Sequence, residues 1–139
     1  MLWIARAGRP DIMQAVAQLA RVMHKPGLRH WHAAQWLLAH LTATREDGLV
    51  YRHDPAITPA QWVLSCYVDS NFLPDYGGLY INMKSTTGWV FLLGNSPVSW
   101  RSRRQELLAD STSVAEYMAA AAPAKMAVHL RLLLPDLGP

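Results

Sequence analysis

The sequence has little cysteine, little charge and no long apolar run, and each shortage excludes a class of protein. A single cysteine, Cys66, cannot form an intrachain disulfide framework or a cysteine-rich zinc cluster. A reducing, intracellular compartment is therefore favoured, either cytoplasmic or nuclear, and the sequence does not choose between them. No apolar run reaches about 18 residues, so no segment is expected to span a membrane. Charged residues make up 17% of the chain and hydrophobic residues 51%, a balance that excludes an intrinsically disordered protein.

The 139 residues are enough for one domain with a hydrophobic core. Both ends of the sequence resemble the ends of a fragment. Thirteen basic residues against ten acidic residues give a net charge of +3. This mild basic excess permits a polyanionic partner without requiring one.

The first third of the chain has a helical pattern. Pro10 and Asp11 suit a first helical turn, and apolar residues then recur at helical spacing up to Met23. A Pro-Gly turn at residues 26–27 separates this helix from a second, expected from about Arg29 to Leu41. The apolar face of the second helix is predicted to contain Trp31, Ala34, Leu38 and Leu41. The two helices predict an αα-hairpin, followed by a short strand over residues 49–52.

The pattern becomes strand-like after a proline-containing linker at residues 53–59. A strand is expected over Trp62–Val68, and a short edge strand over Leu79–Met83. A hairpin with arms Gly88–Leu93 and Val98–Arg101 is expected around a four-residue loop, with residues 105–109 able to extend the second arm.

A last helix is expected to begin near Ser113, because Ser113 and Glu116 match the S-x-x-E capping box. Pro123 falls inside this helix and is expected to kink or restart it. The inward-facing residues of the first turns are predicted to be Tyr117, Ala120 and Ala121. Helices followed by strands and a closing helix predict the α+β class.

Two carboxylates and a basic run between them suggest a site for metal and phosphate. Asp69 lies at the end of a predicted strand, and Glu116 lies on the first turn of the last helix. Magnesium prefers carboxylate oxygens, and two-metal nucleases cluster several of them. The basic run, Arg101, Arg103 and Arg104, can bind phosphates through bidentate hydrogen bonds.

Each of these residues also has a purely structural interpretation, and spacing alone does not decide between the two. Asp69 can be an ordinary strand-end residue, and Glu116 can serve only the capping box. The arginines can protect an exposed edge strand from aggregation. His30 and His32 are two residues apart and cannot share a helix face, which argues against a zinc site.

A series of motifs resembles the Pol polyprotein of copia-type LTR retrotransposons, in the family's order. Similarity to the end of the reverse transcriptase is carried by RPDI at 9–12, HW at 30–31 and GLVY at 48–51. Similarity to the start of the ribonuclease H domain is carried by YVDSNF at 67–72, KSTTGWVF at 84–91, PVSWRSRRQ at 97–105 and STSVAEY at 111–117.

The resemblance implies a truncated RNase H-like domain over residues 60–139, with a mixed sheet and flanking helices. Residues 1–52 are then a helical hairpin like the thumb or connection region of the polymerase. The family hydrolyses the RNA strand of an RNA–DNA hybrid with Mg²⁺ held by Asp and Glu. By motif match, Asp69 stands at the family's first catalytic aspartate and Glu116 at its helix glutamate. Both are therefore expected to be catalytic and metal-binding, with an RNA–DNA hybrid or another nucleic acid as partner.

The sequence also departs from the family's pattern. The family's next catalytic aspartate belongs to an Asp-Asn dipeptide that is missing here, and Val114 replaces a usual glutamate. With two of four expected ligands, the chain is expected to be inactive alone. The alternative is a co-opted structural or nucleic-acid-binding subunit of a larger assembly, in which partner proteins cover the edge of the truncated sheet.

Overall fold

The computed structural model describes residues 1–51, 62–72 and 84–137. The chain divides into two compact units, Met1–Tyr51 and Arg52–Pro139. The described residues form four α-helices and one three-stranded antiparallel sheet, which confirms the α+β class. Among the helices described, none is long and apolar enough to cross a membrane.

Three helices make up the first unit: α1 (Leu2–Ala7), α2 (Met13–Arg21) and α3 (Leu28–Ala43). A 3-10 turn at Pro10–Ile12 leads into α2. The pair α2 and α3 corresponds to the two helices predicted from apolar spacing. The sequence did not predict α1, and the expected strand is absent over residues 49–51, where no described strand lies alongside to pair with it.

The predicted inward face of α3 is correct for the half-buried Ala34 and Leu41 and wrong for Trp31 and Leu38. Trp31 is 61% exposed and Leu38 is half exposed, whereas Leu37 is buried. Apolar residues occur around most of α3, so their spacing does not single out one face. The core of the unit consists instead of Ala5, Ile12, Met13, Val16 and Leu37.

A polar cluster connects the start of α2 to the end of α3. The Arg9 guanidinium donates to both carboxylate oxygens of Asp11, at 2.9 and 2.7 Å. It also donates to the carbonyl oxygen of Thr44 at 2.9 Å and to its hydroxyl at 2.6 Å. His40 Nε2 lies 2.9 Å from Asp11 Oδ2. The hydrogen bond from Arg9, assisted by His40, holds the pKa of Asp11 well below its usual range.

We expect this cluster to make the first unit sensitive to acid. Because the folded-state pKa of Asp11 is depressed, its stabilisation is present above the unfolded pKa of about 4 and is lost as the pH falls below it. Asp11→Asn should remove this acid-dependent loss, which we expect to be about 1 kcal/mol after allowance for solvent screening. Thermal unfolding followed by circular dichroism at pH 5 and pH 3 measures it. Glu46→Gln, which breaks the exposed pair with Arg45, is the control and should leave the pH dependence unchanged.

In the second unit, three strands form a sheet in the order β1 (Leu64–Asn71), β2 (Thr86–Leu93) and β3 (Ser96–Arg104). The described strands are all antiparallel, so the mixed sheet expected from the resemblance is not seen in this part of the chain. The predicted linker at 53–59 and edge strand at 79–83 lie outside the described residues.

The hairpin joining β2 and β3 is tighter than predicted. Gly94 and Asn95 both have positive φ, 54° and 65°, as two-residue hairpin turns that follow the sheet twist require. Ser96 and Pro97 therefore already belong to β3 and not to a four-residue loop. The second arm ends at Arg104, so the possible extension through residues 105–109 is wrong.

One face of the sheet is covered by the long helix α4 (Thr112–Leu133), which packs against β1 and β2. Trp89 and Phe91 of β2 are buried, with ring centroids 5.4 Å apart in an edge-to-face arrangement. The buried residues of α4 recur every four positions: Ala115, Ala119 and Pro123. The predicted inward face of Tyr117, Ala120 and Ala121 is wrong, because all three are exposed.

The start of α4 also differs from expectation, and the helix does not restart at Pro123. Its N-cap is Ser111, whose hydroxyl accepts a hydrogen bond from the Val114 N–H at 3.2 Å. Ser113 already lies inside the helix, so the predicted capping box with Glu116 is wrong. The helix continues as one element through Pro123.

Candidate functional site

Asp69 occupies an open position on β1, which is an edge strand among the described strands. It lies inside β1, two residues before its end, and its side chain is exposed. Its partner across the sheet is Gly88, where a side chain would meet no atom within 4 Å. No hydrogen bond joins the Asp69 carboxylate to another residue in the described ranges. The carboxylate is therefore available to a ligand.

Glu116 contacts the backbone beside Asp69. Its Oε1 accepts a hydrogen bond from the Ser70 N–H at 3.2 Å, across 46 residues of sequence. That N–H belongs to the peptide linking Asp69 to Ser70. The fold thus brings the second carboxylate to the backbone of the first, and Glu116 is engaged there instead of in helix capping.

The two carboxylates approach this peptide from different directions. Side chains alternate along a strand, and Ser70 is buried on the side covered by α4, so Asp69 points to the opposite face. The hydrogen bond from the Ser70 N–H places the Glu116 carboxylate beside β1, at the edge of the described sheet. An ion held by both groups would lie at this edge, near the end of β1.

A buried glutamine lies behind the two carboxylates. Gln105 follows β3 directly and is 8% exposed. Its side-chain N–H group donates to the Ala115 carbonyl at 2.8 Å, the Thr87 hydroxyl at 3.1 Å and the Ser70 hydroxyl at 3.4 Å. The sequence gives Gln105 a place in the PVSWRSRRQ motif and in the possible strand extension over residues 105–109, but no role in the site, because nothing local distinguishes a buried glutamine from a surface one.

The three arginines of the basic run are all exposed, but they do not share one surface. Arg101 and Arg103 lie opposite Trp89 and Thr87, so they project on the same side of the sheet as α4. Arg104 projects from the opposite face. Arg103 also forms an ion pair with Glu106. At most two of the three can therefore meet one phosphate backbone on a given face.

The donor chemistry of Asp69 and Glu116 fits part of a magnesium site. Two carboxylates supply the hard oxygen ligands that Mg²⁺ prefers. Within residues 1–51, 62–72 and 84–137, no group of three or more His, Cys, Asp or Glu side chains is placed to hold a metal ion. The described residues therefore bring no more than two such side chains together at this position.

Comparison with known proteins identifies relatives of this chain. The chain is 37% identical over 131 residues to the retrovirus-related Pol polyprotein from transposon TNT 1-94 of Nicotiana tabacum, covering 94% of the chain. It is 31% identical over 130 residues to the corresponding polyprotein from transposon RE2 of Arabidopsis thaliana. The chain belongs to the Pol polyproteins of copia-type retrotransposons. It spans 9% and 8% of the length of these two relatives.

The same Pol segment also matches a much shorter protein. The secreted RxLR effector protein 161 of Plasmopara viticola is 31% identical over 130 residues, which cover 94% of the chain and 85% of that protein. No protein-family model matches the chain, and no solved structure gives a significant match. Sequence related to this Pol segment thus occurs both within long polyproteins and as most of a short protein.

Proposed function

We propose that this Pol segment joins the end of a reverse transcriptase, residues 1–52, to the first part of an RNase H-like domain, residues 60–139. In that domain, Asp69 and Glu116 are two of the carboxylates that bind Mg²⁺ for hydrolysis of the RNA strand of an RNA–DNA hybrid. The observation that carries the proposal is the hydrogen bond from the Ser70 N–H to Glu116, which holds the two acidic residues at one strand end.

Each residue has a distinct part in this proposal. Asp69 presents an exposed carboxylate that no other described residue engages in a hydrogen bond. Glu116 supplies a second oxygen donor, fixed by the Ser70 N–H. Arg104, which projects on the same face of the sheet as Asp69, contacts the phosphates of the hybrid, whereas Arg101 and Arg103 lie on the other face. Bound Mg²⁺ supplies Lewis-acid stabilisation of charge that develops at the phosphate.

The proposal includes low activity for the chain alone. Two carboxylates leave most of the coordination sphere of Mg²⁺ to water, so binding is weak and the positions of attacking and leaving oxygens are poorly fixed. We therefore expect measurable metal binding without measurable hybrid cleavage.

Manganese binding tests the site directly. In the NMR spectrum of the chain, Mn²⁺ should broaden the amide signals of Asp69, Ser70 and Glu116 before those of the rest of the sheet. Asp69→Asn and Glu116→Gln should each weaken binding by about tenfold or more, because each removes one of two charged donors. Asp136→Asn, in an exposed turn after α4, is the charge-matched control and should bind as the parent chain does.

Two results would contradict the proposal. Binding that survives both substitutions would place the metal elsewhere. Magnesium-dependent cleavage of the hybrid that is lost in both variants would show that the chain is a complete nuclease.

A second function is favoured by the similarity to the RxLR effector protein 161, because the matched segment makes up most of that protein. In this alternative, the chain is a co-opted, non-enzymatic subunit that binds nucleic acid or another protein. The same variants distinguish the two functions. A chain that binds a labelled hybrid equally well with and without Mg²⁺, and with Asp69→Asn and Glu116→Gln in place, acts as a binding subunit.

A further inference from the structure

We propose that Gln105 is the positioning residue of the candidate site, because it fixes the strand of Asp69 relative to the helix of Glu116. This inference rests on the proposed function for its catalytic meaning. The contacts that it explains are independent of any metal.

The three acceptors of Gln105 are the basis of the proposal. Ser70 follows Asp69 in the chain, and Ala115 precedes Glu116. One side-chain amide therefore contacts the immediate neighbours of both carboxylate residues, at 3.4 and 2.8 Å. The third acceptor is the hydroxyl of Thr87 on β2, at 3.1 Å, and Thr87 is the register partner of Ser70.

Gln105 is itself held in place by the backbone. Its own N–H donates to the Ser85 carbonyl at 2.8 Å, just before β2 begins. The side chain therefore extends from a fixed point at the end of β3 under the first turns of α4. Because the contact on α4 is a main-chain carbonyl, it sets the position of the helix and not merely that of one side chain.

Stability alone does not explain a glutamine here. Its Oε1 is buried and has no hydrogen-bond partner among the described residues, and the same holds for the neighbouring Ser85 Oγ. An unsatisfied buried acceptor destabilises a fold, and an apolar side chain of similar length would avoid this cost. The benefit of the glutamine lies in the directed contacts of its N–H group, which an apolar residue cannot make.

The hydrogen bond between Glu116 and Ser70 depends on this placement. At 3.2 Å it is already at the long end of the normal range, so a shift of α4 by about 1 Å would break it. Releasing α4 from Gln105 therefore frees the Glu116 carboxylate from the strand end. The sheet itself, held by its own ladders, can stay intact.

Amide hydrogen exchange of the full chain without metal tests the placement. In Gln105→Met, which keeps the length of the side chain but removes both donors, the Ser70 amide should exchange about tenfold faster, the effect of one lost hydrogen bond. It should approach the rate in Glu116→Ala, while the amides of the β2–β3 ladder keep their protection. Gln105→Asn keeps the amide but is too short to reach both elements, and should give the same result if Gln105→Met folds poorly.

Thr87→Val is the matched control, because it removes one buried acceptor of Gln105 but leaves both contacts beside the carboxylates. In this variant, the exchange rate of the Ser70 amide relative to the amides of the β2–β3 ladder should be the same as in the parent chain. The proposal is overturned if Ser70 in the Gln105 variants accelerates only in parallel with the ladder, or if Thr87→Val exposes Ser70 equally.

Mn²⁺ affinity, measured on the same samples, separates this proposal from the proposed function. Affinity should fall by about 10- to 100-fold in Gln105→Met, as for other residues that orient ligands, and should be unchanged in Thr87→Val. Equal affinity in the parent chain and Gln105→Met overturns the positioning role. If the parent chain binds no Mn²⁺, the proposed function and the metal role of Gln105 both fail, and the exchange data alone then decide whether Gln105 joins the strand to the helix.

Discussion

Phe91→Ala is expected to destabilise the second unit by roughly 3–5 kcal/mol, which is a large part of the stability of a small domain. Phe91 is 1% exposed and is the largest fully buried side chain in the described residues. It packs edge-to-face against Trp89. Besides Trp89, the buried apolar residues described in this unit are Pro123 and the small Ala109, Ala115 and Ala119, none of which can expand into the space that the ring would leave.

Urea unfolding followed by tryptophan fluorescence measures this effect, since Trp89 is in contact with the substituted ring. The midpoint should fall while the slope of the transition stays the same. Val98→Ala, on the exposed side of β3, removes apolar surface that is already 39% exposed and should cost less than about 1 kcal/mol. Equal losses in the two variants would mean that Phe91 is not the centre of the core.

The strands could be predicted from the sequence because their information is local. Apolar stretches typical of strands and the turn-forming residues that begin at Gly94 indicate two arms and a turn within a few residues of one another. For β1 the error lies at the ends, since the strand begins at Leu64 and continues past Asp69 to Asn71, whereas the strand expected over residues 49–52 is absent at 49–51. The end of a strand depends on which residues of the partner strand are placed to form hydrogen bonds with it, and the sequence of β1 does not contain that information.

The start of α4 shows how a local rule can select the wrong residue. Ser111, Thr112 and Ser113 are three consecutive residues able to cap a helix. The S-x-x-E pattern favoured Ser113, but the carboxylate of Glu116 contacts Ser70, a residue distant in sequence. With Glu116 engaged by the strand, capping falls to Ser111, and the helix begins at Thr112.

The candidate site was partly accessible from sequence. Asp69 and Glu116 came from motif resemblance, and the structure places Glu116 against the peptide that follows Asp69. Their spacing gave no hint of this contact, because it depends on how α4 packs across the sheet. Gln105 could not be identified at all, since its importance comes from burial between three elements and not from its own pattern.

The alanine run of α4 permits a second test with a large expected effect. Ala119 is fully buried against the sheet, whereas Ala121 is exposed. Ala119→Glu should destabilise the second unit by roughly 3–5 kcal/mol, because it buries a charge that no neighbour compensates. Ala121→Glu makes the same chemical change in the same helix and should alter stability by less than about 0.5 kcal/mol. Urea unfolding measures the free energy of unfolding of both variants. Because both make the same Ala-to-Glu change in one helix, the effects of helix propensity and net charge are the same in each and do not contribute to the difference.

The pair also tests whether the docking of α4 controls the candidate site. Ala119 lies one helical turn after Ala115, the residue that Gln105 contacts. If the buried stripe holds α4 on the sheet, Ala119→Glu should expose the Ser70 amide to exchange at denaturant concentrations where Ala121→Glu still protects it. Equal protection in the two variants would show that Glu116 reaches Ser70 without the buried stripe. In that case the alanines of α4 would fill space without placing the carboxylate.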